Sequence, residues 1–214
     1  MDEEVAIISS NTRNEKIINF FKKNKSKLIL VLSVIILIIF SFIFYENIHK
    51  KNLIELSNNY NSATINFVSG KKDKAKKALI EIIKKKNKTY SPLALYFLID
   101  NKITIPRDEL NDSFDLVIGI KKLDKEIKNL IIYKKGLYNS DFLEENDLIK
   151  ILNPILNSES IWKSHALHLI GEYFFYKGEK QKSKEFYEKI LTLENSNPTI
   201  EKETLKRIQR DFSE

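Results

Sequence analysis

The sequence predicts an all-α protein in which a single N-terminal transmembrane helix precedes a series of helix pairs. Three observations predict it. Residues Leu28 to Tyr45 form a run of eighteen positions without a charge. Beyond them, apolar residues recur at steps of three and four, the period of a helix with one buried face. Glycine and proline number only 5 and 4 in 214 residues, while Lys, Leu, Ile, Glu and Asn dominate, a balance that favours helices over strands and turns.

The apolar run reads LILVLSVIILIIFSFIFY. At 1.5 Å per residue it spans about 27 Å, close to the thickness of a hydrocarbon core. Tyr45 then falls where an interfacial aromatic is favoured, and Lys27 at the other end can snorkel. A cleaved signal peptide is the rival reading, but its apolar region should be shorter and should end in a small-x-small site. This run ends instead in Phe42, Phe44, Tyr45 and Glu46, so an uncleaved anchor is expected. Ser33 and Ser41 lie near one face, yet no GxxxG pattern is present to drive pairing of spans. Arg13, Lys16, Lys22, Lys23, Lys25 and Lys27 precede the run, against Lys50 and Lys51 close behind it. By the positive-inside rule the N-terminus stays cytoplasmic and the large C-terminal part crosses the membrane. The predicted organisation is therefore a basic tail over 1–27, a span over 28–45 and an exported domain over 46–214. In a bacterium with an outer membrane, that domain is periplasmic.

The net charge of +7 does not make this a nucleic-acid binder. Residues 46–214 hold 30 Lys plus Arg against 25 Asp plus Glu, and only three of the 30 are arginine. Nucleic-acid surfaces lean on arginine forks and clustered aromatics, whereas these lysines alternate with acids as on solvated helix faces. There is no cysteine, so disulfides, thiolate metal sites and lipidated cysteines are excluded.

Past the span, Leu53, Leu56, Tyr60, Ala63 and Phe67 mark the buried face of a first helix that ends at Gly70. A second follows, with Ala75, Ala78, Leu79, Ile82 and Ile83 inward and a basic outer face over 71–88 that reads most simply as solvated. Ser91-Pro92 has the form of an N-cap with proline at the first helical position, opening a helix with Leu93, Leu95, Tyr96 and Ile99 on its apolar face. Pro106 opens the next, with Leu110, Phe114, Val117 and Ile118. A further pair is expected over 123–136 and 140–152, burying Ile127, Leu130, Ile131, Leu143, Leu148 and Ile151, before a turn marked by Pro154 and residues 157–160. A terminal helix over 198–212, starting at Pro198, would cap the array.

The last pair, KSHALHLIGEYFFYKGEKQKSKEFYEKI over 163–190, carries the clearest pattern. Leu167, two residues, then Ile170-Gly171, followed by Gly178, Ser183 and Tyr187, resembles a tetratricopeptide repeat, with Leu167 in place of the common Trp and Phe174 in place of the common Tyr. Gly171 would let the two helices approach, Gly178 would allow the tight turn, and Ser183 would leave room at the crossing. Ala63, Gly70, Ala75 and Leu79 repeat the frame 108 residues earlier, near three periods of 34. The expected domain is thus a solenoid of about four helical hairpins; an ordinary helix bundle is the alternative.

Taken together, these features resemble membrane-anchored tetratricopeptide-like proteins related to the ancillary SecYEG translocon subunit. The resemblance takes in Asp2–Val5, the basic stretch Lys16–Lys27 with Phe20 and Phe21, the span and the paired helices to Phe212. Residues 100–160 depart most from the repeat. It implies an inner-membrane protein whose periplasmic repeats hold newly exported chains beside the translocon. Its partners would be translocon subunits, exported polypeptides or periplasmic chaperones. The repeat class implies a protein-binding groove lined by the first helix of each pair. Here that means His165, His168, Glu172, Phe175 and Tyr176 in the last pair and Tyr60, Thr64, Phe67 and Val68 in the first.

No catalytic residue, cofactor site or metal site is predicted. His165 and His168, with Glu172 one turn beyond, could face a metal, but the only other histidine, His49, adjoins the span. Glu144-Glu145 and Asp108-Glu109 lie in first turns, where they complement the helix dipole, and no phosphate loop or nucleophile elbow is present. A scaffold for envelope or division machinery is the second reading, and a cryptic metal-dependent enzyme using the two histidines the third.

Overall fold

A computed structural model describes residues 18–20 and 22–212; the start of the basic tail, with Asp2–Val5, Arg13 and Lys16, lies outside the described residues. The chain divides into two compact units, Met1–Glu55 and Leu56–Glu214. No strand occurs among the described residues.

The first long helix, α1 (Lys25–Val68), contains the apolar run and continues past it. The sequence reading separates a span from a helix beginning near Leu53, whereas α1 is uninterrupted between them. Residues 46–52 hold neither glycine nor proline, and Glu46 pairs with Lys50 one turn on, at 2.7 Å. Within the first unit, the described side chains of residues 29–45 are exposed, Leu37, Phe40, Phe42 and Phe44 by two thirds or more. α1 is the one described helix long and apolar enough to cross a membrane.

The second unit continues with α2 (Lys72–Lys84), α3 (Tyr90–Asp100), α4 (Arg107–Ile118), α5 (Lys125–Asn139), α6 (Glu145–Leu156), α7 (Lys163–Tyr176), α8 (Lys180–Leu191) and α9 (Pro198–Asp211). Neighbours in sequence pack on one another, and α2 also meets α4, α5 meets α7, and α7 meets α9. Gly70 and Gly178 both hold left-handed backbone, at φ of +80° and +81°. Each turn is closed in the same way. Gly70 donates to the Phe67 carbonyl and Lys71 to that of Asn66, while Gly178 donates to Phe175 and Glu179 to Phe174. This double bond over a left-handed residue satisfies carbonyls that a helix end would leave bare.

The helices cross where the sequence placed small residues. A Cβ on Gly171 would lie 2.6 Å from the ring of Tyr187, so glycine is what lets α7 and α8 close. Ser183, fully buried, donates its hydroxyl to the Gly171 carbonyl at 2.8 Å. Gly136 plays the same part between α5 and α6, where a Cβ would meet Leu152 at 2.7 Å. Gly136 and Gly171 are 35 residues apart, as are Leu152 and Tyr187. The second helix of each successive pair buries one ladder at i, i+4 and i+7: Ala75, Leu79 and Ile82; Leu110, Phe114 and Val117; Leu148, Leu152 and Ile155; Ser183, Tyr187 and Ile190. Ala63 and Leu167, also assigned to the packing, are buried in the first helices of the outer pairs.

Three expectations require correction. Ser91 is not the cap of α3: Asn87 accepts from the Thr89 and Tyr90 amides, and Ser91, fully buried in the first turn, donates to the Ile82 carbonyl. The middle pair is displaced: the helix expected over 123–136 runs over Lys125–Asn139 with Gly136 inside it, and Pro154, expected in a turn, sits in the last turn of α6. Proline has no N–H to give the Lys150 carbonyl, so it costs α6 one backbone bond two residues before its end. The buried set moves accordingly: Ile131 and Leu148 are buried as expected, joined by Ile132, Leu152 and Ile155. Ile127 is exposed, and Leu130, Leu143 and Ile151 are half-buried.

Three lysines, Lys86, Lys102 and Lys122, also hold left-handed backbone, at φ of 52°, 51° and 59°. A side chain there costs about 1–2 kcal/mol that glycine avoids. Lys102→Gly is expected to raise stability by about 0.5–1 kcal/mol after the greater freedom of glycine in the unfolded chain is counted, whereas Gly171→Ala should lower it by about 1–3 kcal/mol. Urea unfolding of the two variants followed by helical circular dichroism checks both signs.

Candidate functional site

α5 and α7 lie side by side, and a cleft of about 360 Å³ opens along them. Tyr133 and Leu137 come from α5, Ser140 and Asp141 from the turn after it, and His168, Leu169, Glu172, Tyr173 and Tyr176 from α7. The 3.6-residue period puts residues 169, 173 and 176 on one stripe of α7. Tyr173 is fixed by donating its hydroxyl to the Leu143 carbonyl at 3.0 Å, while Tyr176 is 82 % exposed at the mouth. The walls are mixed, with Tyr133, Leu137, Leu169, Tyr173 and Tyr176 set among Ser140, Asp141, His168 and Glu172, and suit an extended segment that offers both apolar side chains and polar groups.

In the cleft wall, Glu172 is held by two residues. Arg207 of α9 presents Nε to Oε1 at 2.9 Å and an Nη to Oε2, a fork on the carboxylate. The Tyr187 hydroxyl donates to Oε1 at 2.6 Å. Burial, and then this bond, pushes the Tyr187 phenol up to about 12, so it stays a donor at neutral pH. The Arg207 guanidinium also lies 4.2 Å from the Phe175 ring and pairs with Asp211. His168 sits over Tyr187, with its Nε2 3.9 Å from Glu172. His165 packs against Trp162 and Tyr133, ring centroids 5.0 and 5.7 Å away.

The nine groove residues named from sequence therefore divide into groups. His168, Glu172 and Tyr176 line the cleft, and His165 lies next to it. Phe175 is half-buried between Arg207 and Phe212. Tyr60 and Phe67 belong to the other end of the unit, edge-on to Phe97 of α3 at 6.3 and 5.3 Å, with Thr64 half-buried and Val68 exposed. Sequence reasoning missed Tyr133, Leu137 and Tyr173, and the reach of Arg207 across 35 residues. The 35-residue step from Gly136 to Gly171 would have found the first two, since it makes α5 the equivalent of α7. Among the described residues no group of three or more histidines or acids converges as a metal site.

The class these features define is an all-helical chain with one candidate membrane-spanning helix near its N-terminus and a unit of packed helical hairpins. No family model, curated protein or solved structure matches it.

Arg207→Ala would leave the Glu172 carboxylate, largely withdrawn from water, without its fork, and is expected to cost about 1–3 kcal/mol. Arg207→Lys should recover only part, having no fork. Burial lowers the pKa of both His165 and His168 below 6.5, with Glu203 and Glu172 pulling the other way at His168. The folded imidazoles then bind protons less readily than the unfolded ones, so stability is greatest above pH about 6.5 and declines as the pH falls through it. A His165→Phe/His168→Gln variant should show a shallower decline between pH 7.5 and 5.5 in urea unfolding.

Proposed function

We propose that this chain is a single-pass inner-membrane protein whose C-terminal part is a tetratricopeptide-like, protein-binding solenoid facing the periplasm. Its role would be to hold exported polypeptides near the translocon, as the resemblance to relatives of the ancillary SecYEG subunit implies. The recurring crossing carries this reading. Gly136 on Leu152 and Gly171 on Tyr187, 35 residues apart, set α5 and α7 side by side and form an aromatic cleft between them. Repeats of this length and geometry place their first helices along one binding surface. The uncharged run within α1 and the excess of lysines before it support the anchor and its orientation. A holdase needs apolar contact without a deep, selective pocket, and Tyr133, Leu137, Tyr173 and Tyr176 provide that.

The test is in-cell photocrosslinking from a photoreactive residue at Tyr176, which is exposed at the cleft mouth, followed by identification of the captured proteins. Translocon subunits or assorted exported chains are the expected catch, with capture reduced by Leu137→Asp. Capture of a single envelope or division protein would replace the export reading with the scaffold reading. Capture of cytoplasmic proteins would reverse the orientation.

A further inference from the structure

Successive helices of the second unit run back and forth, so its connecting turns fall alternately at two ends. The Tyr60 and Tyr90 rings meet at a tilt, 6.1 Å apart, which sets the turn over 85–89 beside the start of the unit at Leu56–Tyr60. The turn over 119–124 opens at the same end, since α4 returns along α3. Turns over 101–106 and 140–144 share the opposite end, where Arg107 reaches Asn139 at 3.3 Å and stacks on Phe142.

The entry end is basic. Lys85, Lys86, Lys88, Lys121, Lys122 and Lys125 are all exposed there, and among the described residues none of them makes an ion pair. Of the acids at this end, Glu159 and Glu194 in its two later turns are exposed, while those beside the lysines are engaged. Asp124 accepts from the amides of Glu126 and Ile127, and Glu126 accepts from the Ser160 hydroxyl at 2.6 Å and the Ile161 amide. At the opposite end the signs are mixed, with Lys71, Lys72 and Lys102 set among Asp108, Glu144 and Asp147.

We infer that this lysine-rich end face docks on anionic lipid headgroups of the membrane that holds α1, an inference that rests on the reading of residues 28–45 as a span. The span and the lysines are carried on one chain, which raises the concentration of the lysines near the bilayer surface. Ammonium groups without an arginine among them suit a diffuse layer of headgroup charge rather than the paired contacts used on nucleic acid. The effect is additive over lysines and screened by salt.

The chain has no cysteine, so a fluorophore can be placed at single sites in the full-length protein. Thr89→Cys reports the entry end, Ser69→Cys the opposite end and Phe42→Cys the span. Each labelled protein is reconstituted in nanodiscs of phosphatidylcholine alone or with phosphatidylglycerol, doped with lipids nitroxide-labelled on the headgroup or on the acyl chain. Headgroup quenching at Thr89→Cys should rise about threefold or more with the anionic lipid. It should fall back in high salt or in a Lys85→Gln/Lys86→Gln/Lys121→Gln/Lys122→Gln variant, and Ser69→Cys should stay unquenched. Equal quenching in both lipids, or quenching kept by the lysine variant, overturns the inference. A silent Thr89→Cys with Phe42→Cys quenched from the acyl chains overturns it and leaves the span standing. A silent Phe42→Cys removes the span, and the inference with it.

Discussion

Everything in the second unit is arranged around how closely two helices of a pair can approach. The Tyr187 ring lies where a Cβ on Gly171 would be, and Leu152 presses on Gly136 in the same way. At such contacts the second helix contributes a large side chain and the first contributes none, so the backbones close and the ladder at i, i+4 and i+7 is buried without voids. Ser183 adds a bond to the Gly171 carbonyl, which satisfies its hydroxyl in a position with no access to water. In the first pair Ala63 stands in the register of Gly171, and a side chain of one carbon is still small enough for Leu79 to pack near it.

The outer pairs were legible because their turn glycines punctuate the sequence. Gly70 and Gly178 terminate helices, and in both cases left-handed backbone is what the turn requires. Gly136 is the instructive failure. The helix expected to end at 136 runs on to Asn139, and Gly136 lies inside α5 because a neighbouring helix needs the space. Periodicity cannot distinguish those uses; the offset to Gly171 can. Pro154 misled as well, since α6 bears the loss of one backbone bond at 154 and runs two residues past it. Of the candidate site, the α7 half was readable from the stripe through His168, Glu172 and Tyr176. The α5 half was not, and neither was the contribution of α9, because Arg207 is one of four cations in that helix until the fold brings it to Glu172.

The polar groups around α7 fix the position of the terminal helix more than they add to the cleft. Glu172 accepts from Arg207 and Tyr187, which come from two different helices. That arrangement couples the α7–α8 crossing to the seating of α9. Phe175 and Phe212 close the same corner with apolar surface. The histidines lie beside this cluster and burial lowers their proton affinity, so their titration acts on this end of the unit.

The ties between pairs share one property: each reaches only to the next. Lys134 meets Asp100, Asn139 exchanges two amide bonds with Asn111, Ser160 meets Glu126, Lys182 meets Glu145, and Arg207 meets Glu172, all across 28 to 37 residues of chain. A chain organised in this way has its free energy written as a row of local terms and nearest-neighbour couplings. Order propagates along one axis, as in a line of coupled spins, and fraying starts at whichever terminus is coupled more weakly. Whole pairs could then be gained or lost over evolutionary time with only the two junctions to mend.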